Sequence, residues 1–205
     1  MELYPNDDTG TLRAQIAAVA ARLIAQDGAD YAAAKRKAAS QVLGDAAGRS
    51  NFLPDDLQIE EEVRRYQELF QADTQPGRLL ELRTAALRIM DDLDEFTPYL
   101  TGPVLSGTAG EHDDIHLQLF TENAKDVEMF LLNRNVTMDV SEMAHFKGGR
   151  RDPVEVISFM WKNVGVHLAV YARDDLRGAL KLRADGRPQR ADANAVRALI
   201  EAGAI

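Results

Sequence analysis

The apolar positions in the first third of the chain recur at helical spacing. Leu12, Ile16, Val19, Ala20, Leu23 and Ile24 form one stripe, which Asp27-Gly28 stops. A second helix is expected from Asp30, burying Tyr31, Ala34, Ala38 and Val42 before Gly44, with Lys35-Arg36-Lys37 on its solvated side. Residues 45–53 read as a loop. Pro54-Asp55-Asp56 opens a third helix whose stripe is Ile59, Val63, Tyr66 and Phe70. Acidic residues crowd its first turns, where the helix dipole favours them. After the break at Gln75-Pro76-Gly77, a fourth helix buries Leu79, Leu82, Ala86, Ile89 and Leu93, and Thr97-Pro98 ends it.

The period changes at Gly102. Pro103-Val104-Leu105-Ser106 reads as a short strand closed by Gly107. Asp114–Phe120 then alternates, with Ile115, Leu117 and Leu119 on one face and Asp114, His116 and Gln118 on the other. A helix over 124–134 buries Val127, Phe130 and Leu131. Val136, Met138 and Val140 mark another strand. Two more, Val154–Trp161 and Val164–Tyr171, are joined by Lys162-Asn163, and in the second of them His167 lies opposite Val166, Leu168 and Val170. A turn at Asp185-Gly186-Arg187-Pro188 precedes a final helix capped by Asp192, burying Val196, Leu199 and Ile200. These elements predict an α+β protein: an N-terminal helical region over 1–75, then a mixed β-sheet with helices on one face over 76–205.

Composition narrows the classes. With 33 acidic against 24 basic residues, the net charge of −9 argues against general nucleic-acid affinity, which rests on neutralising phosphates. The absence of cysteine excludes disulfides, thiolate zinc sites and a cysteine nucleophile. No apolar run approaches the roughly 18 residues that span a bilayer. The acidic start, Met1-Glu2-Leu3-Tyr4-Pro5-Asn6-Asp7-Asp8, has no signal-peptide pattern, so a cytoplasmic protein without membrane contact is expected. Phosphate-loop, nucleophile-elbow, His-Glu-x-x-His and dinucleotide fingerprints are missing.

The candidate chemistry lies in Gly102–Leu117. A polar turn containing Ser106, Gly107 and Thr108 could cradle phosphate with backbone amides and hydroxyls. Asp114 and His116, at i and i+2 of a strand, share its outward face, and His167 is the matching outward residue of a later strand. Together they could hold a metal ion. His112 and His145 fall in loop contexts with no assigned role. Gly148-Gly149-Arg150-Arg151 reads as a hairpin connection, Asp174-Asp175 as a turn or helix cap, and Phe159 with Trp161 as sheet packing.

In these residues and in its element order over about 78–172, the chain resembles the nucleotidyltransferase superfamily. That family shows a strand ending in Gly-Ser, a second strand with Asp-x-Asp and a third carboxylate on a later strand. The resemblance places Gly107-Thr108 at the Gly-Ser position, Asp114 at the first carboxylate, His116 at the second and His167 at the third. It implies transfer of a nucleoside monophosphate from a nucleoside triphosphate to an acceptor that the sequence does not identify. Asp114 would be the leading catalytic residue, Ser106, Gly107 and Thr108 would bind phosphate, and Asp114, His116 and His167 would hold a divalent metal. The family resemblance implies magnesium or manganese; an Asp-His-His set suits zinc or another transition metal. Two alternatives stay open. One is a catalytically inactive nucleotide-binding or protein-interaction module, with the N-terminal helices as partner surface. The other is a metal-dependent hydrolase or metal-binding protein.

Overall fold

The computed structural model describes residues 8–44, 52–148, 151–179 and 181–203. The expected loop at 45–53 therefore lies mostly outside the described residues, as do Met1–Asp7 and the pair Gly149-Arg150. The chain divides into two compact units, Met1–Gln75 with Gly110–His112, and Pro76–Ala109 with Asp113–Ile205. Among the described residues no helix is long and apolar enough to cross a membrane.

The first unit contains α1 (Asp8–Asp27), α2 (Tyr31–Leu43) and α3 (Asp56–Phe70). Ile16, Ala20 and Leu23 of α1, Ala34 and Ala38 of α2, and Ile59 and Val63 of α3 form its core. Alanine at the α1–α2 contact lets the two backbones approach closely. Asp30 caps α2 by accepting from the Ala33 N–H at 2.9 Å. Asp55 and Gln58 form a reciprocal capping box on α3. Phe70, expected on the buried stripe, lies in the last turn of α3 and is instead 69% exposed, its ring tilted against Tyr66 at 4.7 Å.

The second unit is an α+β arrangement. Its elements are α4 (Gln75–Asp92), β1 (Tyr99–Thr101), α5 (Gly102–Ser106), β2 (Ile115–Thr121), α6 (Ala124–Asn133), β3 (Met138–Met143), β4 (Val154–Trp161), β5 (Val164–Ala172) and α7 (Ala193–Gly203). The strands form one mixed sheet in the order β1-β2-β5-β4-β3. β2 and β5 pair in parallel, and the other three pairs are antiparallel. The β4–β5 hairpin turns on Lys162 and Asn163, both at positive φ, as a two-residue turn that matches strand twist requires.

The segment read as a strand at Pro103–Ser106 is a short helix, and the strand is Tyr99–Thr101 instead. The frame explains the reversal. Proline suits a first helical turn, and Gly107, with φ near 89°, supplies the left-handed residue that ends it. Val104 and Leu105 are buried either way, so their apolar character did not distinguish the two conformations.

One face of the sheet carries Ile115, Leu117, Leu119, Ile157, Val166 and Leu168 into a core shared with α4, α6 and α7. The opposite face has a separate cluster of Phe120, Tyr171, Val154 and Ala179 at one end and polar residues at the other. β1 is sealed on its outer side by Leu100, which exchanges two backbone hydrogen bonds with Ala191. β3 forms the other end of the sheet, with five of its six residues exposed.

Candidate functional site

Register brings the polar residues together. Thr101 pairs with His116, His116 with His167, and His167 with Ser158. Paired residues share a face, so both histidines lie on the side away from α4, α6 and α7, as alternation predicts. Their rings stack with centroids 4.9 Å apart and planes 18° from parallel.

Asp114, just before β2, reaches across to β5. Its Oδ1 accepts from the Gly165 N–H at 3.0 Å, and its Oδ2 lies 3.0 Å from His167 Nε2. On the other side of that ring, Nδ1 lies 2.9 Å from Ser158 Oγ. A carboxylate only accepts, so in the neutral imidazole Nε2 carries the hydrogen and Nδ1 accepts from the Ser158 hydroxyl. Both nitrogens of His167 are thereby engaged within the protein. Ser158 and Gly165 had not been singled out in the sequence, although the two-residue turn fixes the register that puts Ser158 opposite His167.

His116 is held differently. Desolvation around its ring lowers its pKa below the ordinary histidine value; His167 adds to the effect and Asp114 opposes it. It is therefore neutral at pH 7.

The ring edges open on a cavity of about 430 Å³. Pro103, Met143, Val156 and Ala169 supply apolar wall, and Thr101, His116, Gln118 and His167 the polar groups. Most of these groups are already used. The Thr101 hydroxyl donates to the His116 carbonyl at 3.2 Å. The Gln118 side-chain oxygen accepts from Arg190, whose guanidinium also donates to the Ala179 carbonyl and lies over the Phe146 ring. Ser158 does not line this cavity, so its hydroxyl locks the His167 ring rather than facing a molecule bound there.

The three residues expected to hold a metal do come together. Asp114 and His167 bind one another and His116 stacks on His167. Among the described residues no group of three histidine or carboxylate side chains is arranged to hold a metal ion.

The phosphate-binding expectation also changes form. The backbone N–H groups of Gly107, Thr108 and Ala109 all converge on the Pro103 carbonyl, at 2.9, 3.0 and 3.1 Å. Ser106 and Thr108 share a hydrogen bond at 3.0 Å, and Thr108 is buried. Arg83 donates to the Val104 and Leu105 carbonyls, at 3.1 and 3.3 Å. These groups close the end of α5 rather than forming an open cradle, and Ser106, Gly107 and Thr108 do not line the cavity at His116.

A second cluster lies where the sequence assigned none. His145 Nε2 sits 3.0 Å from Asp175 Oδ2 in a buried contact, with Lys147 at 2.7 Å and Arg151 at 3.4 Å from Oδ1. Burial raises the Asp175 pKa, but the Lys147 and His145 contacts outweigh it and hold the carboxyl below the usual range. This cluster anchors the segment after β3 to the one after β5. His112 packs against Gly28 in the first unit.

Comparison with protein-family models, curated proteins and solved structures gives no match for this chain.

Proposed function

We propose that the second unit is a nucleotidyltransferase-like binding module, which holds a small molecule beside His116 and His167 without a divalent metal. The carrying observation is the saturation of His167, with Nε2 at Asp114 and Nδ1 at Ser158. A metal at that ring would have to break one of these bonds. The internal bonding of the Gly107–Ala109 amides supports the same reading, because a triphosphate would find no open cradle there. The cavity volume falls within the range of roughly 300–1,000 Å³ usual for small-molecule sites.

The test is pyrophosphate release from ATP, GTP, CTP and UTP with magnesium or manganese, using protein purified without a histidine tag. The expected result is no release above a blank preparation. Release that disappears in Asp114→Ala would establish metal-dependent transfer and overturn this reading.

A further inference from the structure

We infer that the cavity beside His116 takes an organic carboxylate with an apolar body, whose charge answers the buried Arg190 guanidinium behind Gln118. This inference rests on the binding-module reading above and adds the ligand's chemistry. Arg190 is only 9% exposed, and an arginine keeps its charge in a folded protein. Its hydrogen bonds nevertheless go to neutral groups alone. Nε donates to the Gln118 side-chain oxygen, and Nη1 donates to the Ala179 carbonyl and the Gln189 side chain. Nη2 takes part in none of these bonds. The guanidinium lies 4.4 Å from the Phe146 ring centroid, and the Lys147 ammonium lies 5.7 Å from the same point. The Asp175 carboxylate is committed to Lys147, Arg151 and His145, which leaves Arg190 without a counter-ion. Beside it the Tyr171 phenol, 2% exposed, has a buried hydroxyl with no hydrogen-bond partner. Desolvation works against the Arg190 charge, and its electrostatic support comes from this phenol. A cation and a hydroxyl donor thus lie within electrostatic reach of each other, and both lack an acceptor.

Gln118 connects this cation to the cavity, since it lines the wall and also takes the Arg190 hydrogen bond. Two fixed charges therefore flank the space. Asp114, beyond His167, has a side chain that is 43% exposed, so water and salt screen it. Arg190 is buried, where a lower effective dielectric makes the same unit of charge act more strongly. The uncompensated cation dominates, and an anion at the Gln118 end gains Coulomb energy that a neutral ligand does not. A carboxylate carries the single negative charge that is missing, and its two oxygens suit a guanidinium. Pro103, Met143, Val156 and Ala169 give the rest of the wall an apolar character that a hydrocarbon body fills. An inorganic anion would meet the charge and leave that wall uncovered.

The test uses matched acids and amides: benzoate against benzamide, and phenylacetate against phenylacetamide, with inorganic phosphate as an anion that has no apolar body. Binding to the full chain is followed by NMR through the backbone amides of β2 and β5. The expected result is saturable shifts at Gln118 and Ala169 with the acid of at least one pair. That acid should bind at least tenfold more tightly than its amide and than phosphate. Gln118→Glu sets a carboxylate of the protein's own against Arg190. It should raise the melting temperature and weaken the acid at least tenfold while sparing the amide. Arg190→Met should erase the difference between acid and amide; if it does not fold, Gln118→Glu decides alone. An amide that binds as tightly as its acid, or an acid unaffected by Gln118→Glu, overturns the ligand class and leaves the binding-module reading standing. Phosphate binding as tightly as the acids overturns the apolar body. No shift with any probe overturns both readings.

Discussion

A β-carbon on Gly165 would lie 2.5 Å from the Asp114 carboxyl group, closer than real side-chain contacts allow. The carboxylate fills the space that a side chain on β5 would occupy, and so reaches both the Gly165 N–H and His167. Gly165→Ala should displace the Asp114 carboxylate and release the His167 ring, at a cost near ~1 kcal/mol because the displaced atoms end a partly exposed side chain. Denaturant unfolding measures the cost. A shift in the His167 ring resonances, absent from an alanine change elsewhere on β5, shows that the contact has broken.

Asp114→Ala removes acceptors from two groups at once. Because Asp114 is partly exposed, water can replace it, and the loss should stay near 1 kcal/mol. The His116–His167 stack should persist, since register rather than Asp114 places those rings. Unchanged sheet amide shifts with altered His167 resonances would be the signature.

The pH dependence of His116 has a defined sign. Its folded pKa is depressed, so between that value and the unfolded value near 6.5 the unfolded chain binds more protons. This contribution to stability is complete above pH 6.5 and falls as pH drops through that window. The slope of unfolding free energy between pH 7.5 and 5.5 should be shallower in His116→Phe. Equal slopes would refute the assignment.

Asp175 behaves as a carboxylate with a depressed pKa. Its contribution is present above the unfolded value near 3.8 and is lost as pH falls through the lower folded value. At neutral pH, Asp175→Asn should cost about 1–3 kcal/mol, because it weakens the contact to the buried His145 while Lys147 and Arg151 can turn to water. Proteolysis should then cut the chain first in the segment after β3.

Thr108→Ala tests whether the turn after α5 is structural. The loss of a buried hydrogen bond with Ser106 should lower stability by about 1 kcal/mol, without changing ligand binding at His116. A selective loss of binding would restore a ligand role for the turn.

Alternation alone put His116 and His167 on one face, because parity survives any uncertainty about which strands are neighbours. Ser158 was equally accessible, since a two-residue turn at Lys162-Asn163 pairs 158 with 167 by counting. The Asp114–Gly165 contact was not. It depends on the parallel register of β2 and β5, and their sequences carry no local signal for that register. At Val104 and Leu105 β propensity yields to the flanking proline and glycines, which favour a helical turn. The His145–Asp175 pair was hidden for another reason: both residues lie in connections, where no periodicity reports burial.

The parallel pairing of β2 with β5 joins Asp114 and His167 across 53 positions of chain. All of α6, β3 and β4 lies inside that loop, so closing it carries an entropic cost before its contacts form. The two imidazoles therefore become neighbours only when two strands far apart in sequence pair. Their mutual ring-current shifts therefore report that long-range pairing directly, in a way no local contact can.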